Sequence, residues 1–215
     1  MPVRKIPKSY RTVTGVIASS KAVGEAQFES TLERDFYALL DFMPEVIRFE
    51  VQPVMIEWRD EVGKPRRYTP DTLVEFDPAL NRKPWLCEVK YRADIAKDWE
   101  VLHRKFRSGI RHARAQGWRF RLMTEVEIRT QLLKNVRFLA QFRSKGDPGD
   151  KAAELLGRLT RMVRTTPKEL LETISTDVWI QAEWLPVLWR LIASHQVGTD
   201  LTAELTPDSP IWSVP

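Results

Sequence analysis

One apolar stripe lies between two short runs of β-forming residues, and that order restricts the chain to few folds. Trp85 to Tyr91 and Trp118 to Met123 are the two runs. Between them Ile95, Trp99, Leu102, Phe106, Ile110 and Ala113 recur at intervals of four, three, four, four and three, the face of one long helix ending near Gly117. A helix between two neighbouring strands is the crossover that parallel pairing requires. Upstream, Val46 to Trp58 and Arg66 to Phe76 are also rich in β-branched and aromatic residues, and Asp60-Glu61-Val62-Gly63 and Asp77-Pro78 supply turns after them. These three successive strands are expected as an antiparallel meander. Phe28, Leu32, Phe36, Leu39 and Leu40 place a helix over 25–40, with Ser30 and Glu33 resembling a capping box set late for that start. The expected fold class is α/β, with the order α-β-β-β-α-β around a mixed sheet.

The remainder is mostly helical. Thr124 and Glu127 form a capping box ahead of Ile128, Leu132, Val136, Leu139 and Phe142, and Ser144 to Asp150 reads as a linker. Beyond it Leu155, Leu156, Leu159, Met162 and Val163 mark one helix. Thr166-Pro167-Lys168-Glu169 starts a second with an N-cap, an N1 proline and a capping glutamate, and Asp177 to Ala193 makes a third. Residues 197–201 and 210–214 can pair as a hairpin. Three helices and a hairpin follow the order of a winged helix, most of which a short helical bundle shares. The expected divisions are an arm over 1–24, a first domain with its connecting helix over 25–145, and a smaller domain over 146–215.

A chain of 215 residues can bury a core without staples, and no apolar run in it approaches the roughly 20 residues that cross a bilayer. The start, MPVRKIPKSYRTVTG, has basic residues with no hydrophobic signal core behind them, and Cys87 is the single cysteine. A cytoplasmic, reducing setting is therefore expected, with no membrane partner, no disulfide within the chain and no thiolate zinc site. Charge is unevenly spread. Residues 1–145 carry 28 Lys/Arg against 19 Asp/Glu, and residues 146–215 carry 6 against 10. The first part is suited to a polyanion, with nucleic acid as the leading candidate.

The chemistry concentrates in two adjacent strands. Pro70-Asp71 lies in the second and Glu88-Val89-Lys90 in the third, and alternation points Glu88 and Lys90 to one face. Asp71 and Glu88 can hold a hard divalent cation through oxygen, with the Val89 carbonyl as a further ligand. Such an ion activates water and neutralises a scissile phosphate. Lys90 can orient the nucleophile and stabilise developing negative charge. Cys87 alternates to the opposite face as a small core residue. Along the crossover helix Arg104, Lys105, Arg107, Arg111 and Arg114, with His103 and His112 among them, are expected to contact DNA backbone.

Pro-Asp followed by Glu-x-Lys is the PD-(D/E)xK nuclease pattern, and its place in this element order resembles the restriction-endonuclease-like core. The resemblance narrows further. Ser30-x-Leu32-Glu33-Arg34-Asp35 on the first helix, Val51-Gln52-Pro53, Tyr68-Thr69-Pro70-Asp71, Glu88-Val89-Lys90 and Thr124-Glu125 are similar to TnsA, the endonuclease subunit of heteromeric cut-and-paste transposases. That resemblance implies an active site of Glu33, Asp71, Glu88 and Lys90, with Glu33 joining Asp71, Glu88 and Val89 around the metal. The third position is Glu88, where that family has Gln or Glu. Gln52 is a candidate for site support.

The resemblance also implies Mg²⁺, with Mn²⁺ as substitute, and cleavage of the 5′ strand of double-stranded DNA at transposon ends. The implied partners are a DDE-type transposase subunit and an AAA+ ATPase regulator. Two other readings stand beside it: a restriction or repair nuclease acting alone, and a non-catalytic DNA-binding adaptor. For residues 146–215, Trp179, Trp184 and Trp189 with few basic residues point to a protein partner in place of DNA.

Overall fold

The computed structural model describes residues 13–143 and 149–214. The chain divides into two compact units, the first ending at Arg129 and the second beginning at Thr130.

In the first unit, strands β1 (Gly15–Ile17) and β2 (Ala26–Phe28) pair as an antiparallel hairpin. Helix α1 (Thr31–Phe42) follows. The helix thus starts later than its apolar spacing suggested. The Ser30 side chain accepts the Glu33 N–H as a true N-cap, and Phe28 belongs to a strand. The segment expected as an arm over 1–24 contributes β1 of this hairpin; residues 1–12 lie outside the described residues.

Strands β3 (Val46–Val51), β4 (Ile56–Arg59), β5 (Pro65–Tyr68), β6 (Thr72–Phe76) and β7 (Trp85–Val89) come next. Each of the first two expected strands is therefore broken in two, at Gln52-Pro53 and at Thr69-Pro70-Asp71, where proline removes a ladder donor. β4 and β5 form a separate two-stranded hairpin. Helices α2 (Arg92–Lys97) and α3 (Trp99–Ala115) lead to β8 (Arg119–Met123), and α4 (Glu125–Ile128) begins with the expected Thr124–Glu127 capping box. The main sheet has the order β3-β6-β7-β8, antiparallel except for the parallel β7–β8 pair. This is the mixed α/β sheet that the crossover helix required. Gly117, at φ +75°, turns the chain out of α3 into β8.

The expected stripe on the crossover helix is only partly inward. Phe106 and Ala113 are buried, but Trp99 and Ile110 are exposed and α2 buries no residue. The inward line of α3 passes through Gly109, whose missing Cβ lets the helix approach: an added carbon would lie 2.6 Å from Phe120 and 3.2 Å from Tyr68. Ile56, Tyr68, Leu73, Leu86 and Ala113 form the core on this side of the sheet.

The second unit holds α5 (Gln131–Arg143), α6 (Asp150–Met162), β9 (Arg164–Thr165), α7 (Pro167–Glu172), α8 (Val178–Ala193), β10 (Val197–Thr199) and β11 (Ile211–Ser213). The helix expected to close the first domain is here α5, packed on α8. The reason is its apolar face, Leu133, Val136, Leu139 and Phe142, with the Phe138 ring edge-on to Trp189 at 5.6 Å. The three-stranded sheet β10-β11-β9 completes a winged-helix order, in which the Thr166–Glu169 capping box and Pro167 start α7 as expected. Trp189 is core, Trp184 half-buried, and Trp179 81% exposed.

Candidate active site

Asp71 is fastened where three strands meet. Its N–H donates to the Cys87 carbonyl at 3.0 Å, and its carbonyl accepts the Gln52 N–H at 2.9 Å. Its Oδ2 accepts the Val89 N–H at 2.6 Å. The Asp71 carboxyl is held well above the usual carboxylate range, by burial first and then by the charges of Glu88 and Glu33. The three acids thus share one neighbourhood although they come from α1, the start of β6, and β7. Tyr37 senses the same charges: burial, then Glu33 and Asp71, push its phenol well up.

Glu33 serves two ends at once. Its Oε2 accepts the Glu29 N–H and its Oε1 the Ser30 hydroxyl, each at 2.9 Å, so it is tied to the turn before α1 in place of the Ser30 N–H that a capping box would use. Burial raises its carboxyl, and among the opposing influences is the Lys90 charge. Lys90 is half-buried just past β7, its N–H on the Met123 carbonyl at 3.0 Å. Glu33 and Glu88 are thus near enough for their charges to act on Asp71, and Lys90 for its charge to act on Glu33.

Glu88 is the most enclosed of the four. The Tyr68 hydroxyl donates to its Oε2 at 2.8 Å, and Lys105 Nζ lies 2.7 Å from its Oε1. Lys105, expected on DNA backbone, is thus placed on a carboxylate of the site. Sequence reasoning missed Tyr68 in this role, although it opens the Tyr68-Thr69-Pro70-Asp71 run.

Gln52 sits at the site's edge, 8% exposed, with φ +50°. A non-glycine residue there is strained by about 1–3 kcal/mol and persists because its surroundings over-determine it. Its Nε2 reaches Glu29 at 3.4 Å, while its Oε1 is buried without a hydrogen-bond partner. A second missed device lies beside α1. Arg129 donates from Nε to Asp35 at 3.0 Å and from Nη2 to Thr31 and the Tyr91 hydroxyl at 3.0 and 2.9 Å, pinning the start of α1 to the residue after Lys90.

The donor set fits a hard divalent cation in kind: carboxylates with the Val89 carbonyl adjacent, their neighbouring charges acting on Asp71. Among the described residues, however, no three His, Cys, Asp or Glu side chains are gathered as a ready metal cage. The oxygens of Glu88 are committed to Tyr68 and Lys105. Cys87 takes no part; it is fully buried, and burial followed by the Asp71 charge pushes its thiol up.

A basic groove of 860 Å³ adjoins α3, lined by Trp58 and Arg59 of β4 and by His103, Arg104, Arg107, Arg111 and Arg114. Arg104 also pairs with Glu61. His112 lies against the Trp118 ring instead.

The mixed four-stranded sheet with its crossover helix is the α/β fold of a restriction-endonuclease-like nuclease core. A family model described as TnsA-like endonuclease N terminal matches residues 43–125, and one described as TnsA endonuclease C terminal matches residues 127–201. The chain belongs to the TnsA endonuclease family, whose members are nucleases of DNA transposition. No curated protein matched the chain significantly. No helix among the described residues is long and apolar enough to cross a membrane.

Proposed function

We propose that this protein is a metal-dependent DNA endonuclease that cuts the 5′ strand at transposon ends, leaving the 3′ strand to a DDE-type transposase subunit. The observation that carries this reading is Asp71 bound through Oδ2 to the Val89 N–H, next to Glu88 and within reach of the Glu33 charge, in a chain of the TnsA family. Asp71, Glu88 and the Val89 carbonyl would hold the ion, with Glu33 as a further acid. Mg²⁺, or Mn²⁺ in its place, supplies an acidified water and charge neutralisation at the phosphate. Lys90 orients the nucleophile and offsets the negative charge of the pentacovalent phosphate. Arg104, Arg107, Arg111 and Arg114 seat the DNA backbone in the groove, and Gln52 supports the strand junction that holds Asp71.

The second unit supports a protein partner, the transposase or an AAA+ ATPase regulator. At the start of α8, Val178, Trp179 and Ile180 are 68, 81 and 42% exposed. An exposed apolar run of this kind favours a protein surface over a phosphate backbone. The setting of such an assembly is the cytoplasm.

The test is cleavage of an end-labelled transposon-end duplex by the full chain with Mg²⁺, alone and with transposase and ATPase present. A 5′-strand nick that requires the partners is the expected result. Efficient cutting by the chain alone would favour a solitary nuclease, and binding without cutting under every combination would favour an adaptor.

A further inference from the structure

Glu88 is already answered by a cation of the protein's own. Its side chain is 1% exposed, and the Lys105 ammonium lies 2.7 Å away on a side chain that is 24% exposed. The same ammonium lies 4.4 Å from the centroid of the Tyr68 ring, and the Tyr68 hydroxyl takes the other Glu88 oxygen. Lys105, Tyr68 and Glu88 therefore form a closed, charge-neutral set inside the acidic site. Lys105 follows Arg104, which lines the basic groove, and its own side chain faces Glu88 and Tyr68.

A monovalent ammonium and a divalent ion repel each other and compete for the same oxygens. While Lys105 holds Glu88, ion binding must rely chiefly on Asp71. A scissile phosphate seated beside Asp71 and Glu88 offers the flexible lysine another anion next to its present partner.

We propose that Lys105 is the resident counter-cation of Glu88, handed to a DNA phosphate when substrate seats, so that the divalent ion binds tightly only on DNA. This rests on the reading of Asp71 and Glu88 as the metal site. Lys105 is here a positioning residue whose departure frees Glu88, and premature loading of metal without substrate is suppressed.

The test measures Mn²⁺ binding to the full chain from the paramagnetic resonance of unbound Mn²⁺, with and without a short duplex. Wild type should bind Mn²⁺ weakly alone and about tenfold more tightly on DNA, the scale expected when one close charge is removed from a partly screened site. Lys105→Met should bind tightly without DNA, with little further gain on adding it. Should the methionine variant fail to fold, Lys105→Gln keeps a donor for Oε1 without the charge and should show the same tight binding without DNA. Adding Asp71→Asn to either variant should abolish the tight binding, which places the ion in this site. Equal Mn²⁺ affinity of wild type and the Lys105 variants in the absence of DNA would overturn the inference and leave the metal-site reading standing. Absence of Mn²⁺ binding in every protein, with or without DNA, would overturn both.

Discussion

Asp71 Oδ2 accepts the Val89 N–H at 2.6 Å, which ties the acid at the start of β6 to the residue between Glu88 and Lys90 on β7. With its backbone also bonded to Cys87 and Gln52, Asp71 has no freedom to retreat from the neighbouring acids. Burial first, and then the charges of Glu88 and Glu33, raise the Asp71 carboxyl.

Asp71→Asn should therefore abolish cleavage and raise the melting temperature of metal-free protein. The asparagine oxygen can still accept the Val89 N–H, while the charge disappears. The sign follows from linkage. A carboxyl raised in the folded state contributes stability that is fully present below its unfolded value near about 4 and lost as pH rises through the folded one. The gap between variant and wild type should thus widen from acid to neutral pH in thermal melts with chelator present; a variant that melts lower throughout would contradict the crowding.

Lys90→Ala should lower the cleavage rate by about a thousandfold or more while leaving fold and DNA affinity intact, as expected for a group acting in the transition state. Combining it with Glu88→Ala should add little, because groups that act as a unit are far from additive. Single-turnover rates of both single variants and the double variant check this.

Cleavage should require Mg²⁺ or Mn²⁺ and stop in chelator. Ca²⁺ should compete without supporting the reaction, since it fills oxygen sites but activates water poorly. Undiminished cutting in chelator would remove the metal role of Asp71 and Glu88.

Charge reversal at Arg104, Arg107 and Arg111 should weaken DNA binding about equally across sequences. The slope of log affinity against log salt should flatten by about 0.9 for each phosphate that an arginine no longer neutralises. Titrations of unrelated duplexes at several salt concentrations measure both effects.

Gly109→Ala should destabilise the first unit in spite of alanine's helix propensity. The new carbon would meet Phe120 at 2.6 Å and Tyr68 at 3.2 Å. Overpacking costs about 1–3 kcal/mol, more than the roughly 1 kcal/mol that alanine gains in a helix. Thermal unfolding gives the sign directly.

The sequence by itself determined the order of the core elements, a helix, the sheet strands, a crossover helix and a closing strand, because apolar period and turn chemistry are local. It also marked Asp71, Glu88 and Lys90, whose spacing on adjacent strands is fixed by the pleat. Capping boxes at Thr124 and Thr166 were legible for the same reason, each being complete within four residues. What only tertiary structure decided is which surfaces meet. The inward line of α3 runs through Gly109, invisible to any count of apolar residues because its contribution is the absence of a side chain. Lys105 reads as one more base on a basic helix, and α3 must be laid against Tyr68 and β7 before its ammonium falls on Glu88. Arg129 and Asp35 stand 94 positions apart, and α5 joins the second unit through a face that fits α8. Such pairings are set by packing between distant segments, whose energy no local pattern contains.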